Sequence, residues 1–166
     1  MMFEQIFIEL NAHKVNYAVI GGIAVNLHGY RRNTGDLDIV IALTNEDIQK
    51  FIQAVKKLAF VPRLPVALEE FADANKRKEW IDKKNMLVFS VYNPQNPLEH
   101  IDVKIEGENE IQEILKSRVW MDAGSFKIPV IGLDCLIKVK ERAGRGRDLV
   151  DLQALKQIKN IKNDKK

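Results

Sequence analysis

The chain has 166 residues, 46% hydrophobic and 30% charged, with 26 Lys and Arg against 23 Asp and Glu. That length suits one domain with a core of its own, and the apolar fraction excludes a disordered chain. No apolar run approaches the ~20 residues that span a bilayer, no secretory leader is legible at the start, and the lone Cys135 supports neither an internal disulfide nor a cysteine-rich zinc site.

The expectation is a soluble cytoplasmic domain over residues 1–159, then a polar tail, 160–166. Within the domain, helical and strand-like patterns alternate, which predicts an α+β (α/β-like) fold: a mixed β-sheet flanked by helices, with a helical pair at the C-terminal end. Residues 3–12 carry a helical stripe of Phe3, Ile6, Phe7 and Leu10. Residues 17–20 are an apolar run that reads as a buried strand and stops at Gly21-Gly22. A helix over 23–28 opens from those glycines and ends at Gly29.

Residues 36–43 read as a second strand, with Leu37, Ile39 and Ile41 on one face. Thr44-Asn45-Glu46-Asp47 is a helix-start signature, followed by Ile48, Phe51, Ile52 and Val55 at helical spacing. A charged stretch suggests a helix over 68–81, and strands follow at 86–92 and 100–106. Then come a helix over 110–118 and a hairpin over 120–130, with Trp80 and Trp120 read as packing residues. Two helices, 133–142 and 147–158, close the domain. From 134 to 166 there are ten Lys and Arg against five Asp and Glu, a charge of +5 against −2 for the rest, and this hints at an anionic ligand.

The candidate chemistry begins at Asp36-Leu37-Asp38. In a strand these two carboxylates project from one face, where they repel each other. A divalent cation removes that repulsion, and Mg²⁺ is commonly held by one or two carboxylates together with substrate phosphates. Asp102 alternates with Ile101 and Val103, so it lies opposite a buried face. Were its strand beside the first, three carboxylates would converge and could hold two metals for an in-line displacement at phosphorus. Gly21-Gly22 before a helix lets phosphate oxygens approach backbone N–H groups. Arg32 and Thr34, just before the acidic pair, either steady a triphosphate or cap the loop. Arg147 and Asp151 have the spacing of a surface i,i+4 ion pair. His28 and His100 lack metal-ligand spacing and read as structural.

Three stretches resemble one family. They are Gly21-Gly22-Ile23-Ala24 with His28-Gly29, then Arg32-Asn33-Thr34-Gly35-Asp36-Leu37-Asp38-Ile39, and finally Lys140 with Ala143-Gly144-Arg145, Arg147-Asp148 and Asp151. Together they look like the DNA polymerase β-type nucleotidyltransferase superfamily, in particular its minimal and abortive-infection toxin-type branch. The likeness extends over about residues 17–155. Many members carry Gly-Ser where this chain has Gly21-Gly22, although Gly-Gly is usual in that branch. The resemblance implies an enzyme with two Mg²⁺ ions on Asp36, Asp38 and Asp102, transferring a nucleoside monophosphate from an NTP to an acceptor hydroxyl on a protein, RNA or small molecule. It implies nucleotide binding by Gly21, Gly22, Arg32, Thr34 and Lys140. The alternative is a non-catalytic nucleotide-binding module, or a toxin–antitoxin component with a partner protein. No membrane association is expected.

Overall fold

The structure is a computed structural model that describes residues 3–165; Met1, Met2 and Lys166, the outer ends of the expected domain and tail, lie outside it. Helix α1 (Glu4–Ala12) precedes the buried strand β1 (Tyr17–Val19). The glycine pair forms the first turn of α2 (Gly21–His28), which ends at Gly29 in the left-handed conformation expected of a glycine stop. Strand β2 (Leu37–Ile41) leads to α3 (Asn45–Lys57), capped by Thr44, whose hydroxyl accepts from the Asp47 N–H.

The next segment departs from the expected single helix over 68–81. A short edge strand, β3 (Val61–Pro62), comes first, then a 3-10 turn (Leu68–Ala72), then α4 (Ala74–Lys84). Asp73 divides the two, because its carboxylate accepts from the N–H groups of Asn75 and Lys76 and so starts a new helix. Strands β4 (Val88–Asn93) and β5 (Asn96–Lys104) form a hairpin, followed by α5 (Glu108–Ser117). A second hairpin, β6 (Val119–Asp122) and β7 (Lys127–Val130), leads to α6 (Leu133–Ala143) and α7 (Gly146–Asp164). Helix α7 continues past the end expected near residue 158, since no glycine or proline interrupts it.

Among the described residues, seven strands join one mixed sheet in the order β3-β4-β5-β2-β1-β7-β6. The β2–β5 and β1–β7 pairs are parallel, and the other neighbours are antiparallel. One face presents Leu37, Ile39, Ile101, Val103 and Phe89, all buried. It is closed by a ring stack in which Phe89 lies 4.4 Å from Phe71 and 5.6 Å from Trp80, with Phe51 edge-on to Phe71. Trp80 is therefore a packing residue, whereas Trp120 is 57% exposed because β6 is the sheet edge. The opposite face carries Asp38, Val40 and Asp102; α5 packs against β2 and β1, and α6 and α7 line the same cavity as the two aspartates. Among the described residues, no helix is long and apolar enough to cross a membrane.

Candidate active site

Strand β5 lies directly beside β2 in parallel register, with Asp38 opposite Asp102. Paired residues in a sheet project to the same side, so the two carboxylates are neighbours. Ser90, opposite Asp102 on β4, donates its hydroxyl hydrogen bond to Asp102 Oδ1 at 2.5 Å. Burial, and then the charges of Asp102 and Asp36, push the Asp38 carboxyl up to about 6, although Lys140 and Arg145 pull it down.

Asp36 behaves differently. It lies just before β2 begins, so strict strand alternation does not govern it. Its Oδ1 lies 3.1 Å from Nε2 of His100. Among the described residues, no group of three or more His, Cys, Asp or Glu side chains is arranged to hold a metal ion. The adjoining carboxylates are thus Asp38 and Asp102, and Asp36 stands at the end of β2 with its own partner.

The glycine turn meets this pair closely. Gly21 has φ +65°, and a Cβ there would sit 2.2 Å from Asp38 Oδ2. A Cβ on Gly22 would lie 2.6 Å from Thr34 Oγ1 and 2.7 Å from Arg32 Nη2. The Ile20 N–H donates to the Asp38 carbonyl at 2.9 Å, which ties the turn to β2. Asn26 on α2 secures the Arg32 loop: its amide donates to the Arg32 carbonyl and its oxygen accepts from the Arg32 N–H, each at 2.9 Å. The N-cap residue Ile20 makes no side-chain cap, and the Asp38 carboxylate lies against the first turn of α2, at the positive end of the helix dipole.

A buried charge cluster forms the facing wall. Lys140 Nζ lies 2.9 Å from both Asp148 Oδ1 and Asp151 Oδ2, and the two carboxylates are 0% and 1% exposed. Arg32 Nε reaches Asp151 Oδ1 at 3.0 Å, and Arg145 Nε reaches Asp148 Oδ2 at 2.9 Å. Three cations thus share two carboxylates, which leaves a net positive wall. Burial opposes ionisation of Asp148, but hydrogen bonds from Lys140 and Arg145 outweigh it and hold the carboxyl below its usual range. Asp151 is a buried partner of Arg32 and Lys140 instead of the expected surface partner of Arg147. Helix α7 turns this side of its surface toward α6 and α2.

The eight residues expected to bind metal or nucleotide all line one cavity of about 620 Å³. It has acidic carboxylates on the sheet side and Lys140, Arg145 and Arg147 on the helix side. Sequence reasoning missed Ser90, Asn26 and the buried roles of Asp148 and Asp151. A lone serine within an alternating strand carries no signal, whereas a lysine followed by two aspartates on the next helix is a usable one. His28, by contrast, is structural: Nε2–H donates to the Ile131 carbonyl at 2.7 Å, and burial lowers the imidazole's pKa. Burial likewise raises the Cys135 thiol, which lies off the cavity.

No family model matches this sequence, and no curated protein matches it. The chain is similar to a solved structure, an antigenic nucleotidyltransferase-like protein from Paracoccidioides brasiliensis. The TM-score is 0.52 at 16% identity, covering 89% of this chain and 70% of that one. The chain therefore has a nucleotidyltransferase-like fold.

Proposed function

We propose that the protein is a nucleotidyltransferase that moves a nucleoside monophosphate from an NTP to an acceptor hydroxyl. The observation that carries this reading is the in-register Asp38–Asp102 pair, packed against a side-chain-free turn at a helix N-terminus. Two adjoining carboxylates, one of them resisting ionisation, are a donor set suited to a hard divalent cation. Asp38 and Asp102 would hold Mg²⁺, with Asp36 joining Asp38 for a second, nucleotide-bound ion. Bound there, Mg²⁺ supplies charge neutralisation at the phosphates and at the attacking oxygen.

The chain's own groups supply the rest. The N–H groups at Gly21 and Gly22 receive phosphate oxygens, and the absent Cβ atoms let Asp38, Thr34 and Arg32 pack close against the turn. Lys140 has three ammonium donors; it hydrogen-bonds Asp148 and pairs in charge with Asp151, and its remaining donor capacity serves the triphosphate. Arg32 and Arg145, fixed by the same carboxylates, add positive charge without having to be ordered at the moment of reaction. The acceptor oxygen forms a bond to the α-phosphorus as the bond to the bridging oxygen breaks. Pyrophosphate leaves, and Asp102 takes the hydroxyl proton.

The test is incubation with labelled NTPs, Mg²⁺ and protein, RNA and small-molecule acceptors. Label transfer that disappears in Asp38→Ala supports the reading, and transfer that survives that substitution removes the metal assignment. One observation favours a second reading, a nucleotide-binding module without turnover: among the described residues, no three His, Cys, Asp or Glu side chains are gathered around one ion position. Nucleotide binding with no label transfer to any acceptor would support that module.

A further inference from the structure

The register that sets Asp38 beside Asp102 also brings residue 100 level with residue 36. His100 Nε2 approaches Asp36 Oδ1, while Nδ1 is buried with no hydrogen-bond partner. A neutral imidazole carries one proton. On Nδ1 it would be a buried, unpaired donor, so it resides on Nε2 and donates to Asp36. The two groups differ sharply in freedom. The His100 side chain is 15% exposed on a central strand, whereas Asp36 precedes its strand and its side chain is 60% exposed. An exposed carboxylate without a partner samples several rotamers, and ordering it when a ligand arrives costs entropy. Here a rigid ring bears that role in advance.

We propose that His100 is the positioning residue for Asp36. Its Nε2–H fixes Oδ1 and leaves Oδ2 as the oxygen offered to a divalent cation at the edge of the Asp38–Asp102 pair. This inference rests on the metal-binding reading above. His100 does not coordinate the ion, because its only solvent-side nitrogen is occupied by Asp36 and its other nitrogen is buried. Hydrogen-bonded partners of ligating carboxylates act in this way generally, setting orientation rather than supplying a bond to the metal.

The experiment titrates Mn²⁺ alone into the full chain and follows the free-ion EPR signal. It compares wild type, His100→Ala, His100→Gln, Asp36→Asn and the His100→Ala/Asp36→Asn double variant, with thermal unfolding to confirm folding. His100→Ala should weaken Mn²⁺ binding by about ten- to a hundredfold. His100→Gln, which retains an N–H donor, should recover most of that loss. In the Asp36→Asn background, His100→Ala should have no further effect. Unchanged or tighter Mn²⁺ binding in His100→Ala, or independent addition of the two losses, overturns the inference and leaves the metal reading standing. A wild-type chain that binds no Mn²⁺ overturns both.

Discussion

Asp38 and Asp102 occupy facing positions on β2 and β5, two strands separated in sequence by α3, β3, the 3-10 turn, α4 and β4. Their pairing places two like charges side by side, with Asp38 against Gly21 and with Lys140 and Arg145 partly offsetting the charge of Asp38 from the far wall. The site is therefore held by its surroundings in an arrangement that its own charges oppose.

That opposition has a pH signature. The Asp38 carboxyl lies near 6 in the folded chain and near 3.8 once unfolded, so the folded state binds this proton more tightly. Its contribution to stability is fully present below about pH 4 and is lost as pH rises through 6. Asp38→Asn should make the metal-free protein more stable at pH 8 by about 2–3 kcal/mol, with the gain vanishing below about pH 4. Urea unfolding of both proteins across pH 4–8 measures it, and a pH-independent difference would contradict it.

The buried charge cluster predicts a contrast within one helix. Asp151→Ala strips a carboxylate from Arg32 and Lys140 and should cost about 3–5 kcal/mol, because it leaves buried positive charge without its partner. Arg147→Ala, four residues earlier and exposed, should stay within about 0.5 kcal/mol of wild type. Equal losses in denaturant melts of the two would restore the surface pairing that the sequence spacing suggested.

Gly21 and Gly124 both have positive φ, at +65° and +88°, yet only Gly21 faces the site. Gly124→Ala meets no atom within 4 Å and should cost about 1 kcal/mol of backbone strain alone. Gly21→Ala adds a collision with the Asp38 carboxylate, so it should lower the melting temperature further and also weaken Mn²⁺ binding. Similar melting temperatures for the two variants would show that the turn and Asp38 yield to each other.

Ser90→Ala removes the hydroxyl that holds Asp102 Oδ1. Hydrogen bonds to charged groups contribute about 1.5–3 kcal/mol. The loss should therefore appear as weaker Mn²⁺ binding and slower label transfer, with the fold retained by circular dichroism. Unaltered binding would mean that Asp102 is oriented by its strand alone.

The architecture was legible where a local rule has only one outcome. Thr44 with Asp47 begins α3, Gly29 ends α2, and strict alternation through Ile101 and Val103 marks a face of β5. The break at Asp73 was not, since residues on both sides are compatible with helix and only the aspartate's choice of backbone partner divides them. Trp120 was misjudged for a related reason: whether a strand is central or at an edge depends on its neighbours in space, and β6 has only one.

The sequence by itself determined the ingredients of the site: an acidic pair, a glycine turn, a third acidic residue on an alternating strand and a basic C-terminal region. Short-range sterics and hydrophobic period specify these, and both act over a few residues. Only the tertiary structure decided which charges meet. Asp102 adjoins Asp38 because β5 pairs with β2, Asp36 goes to His100 because the same register brings them level, and Asp148 with Asp151 is buried because α7 packs that side inward. Helical spacing is the same on a solvated face and a buried one, so the uneven charge of +5 against −2 could not reveal that part of it is neutralised within the fold. What remains for a ligand is the small positive excess of three cations over two carboxylates, facing the acidic pair across one cavity.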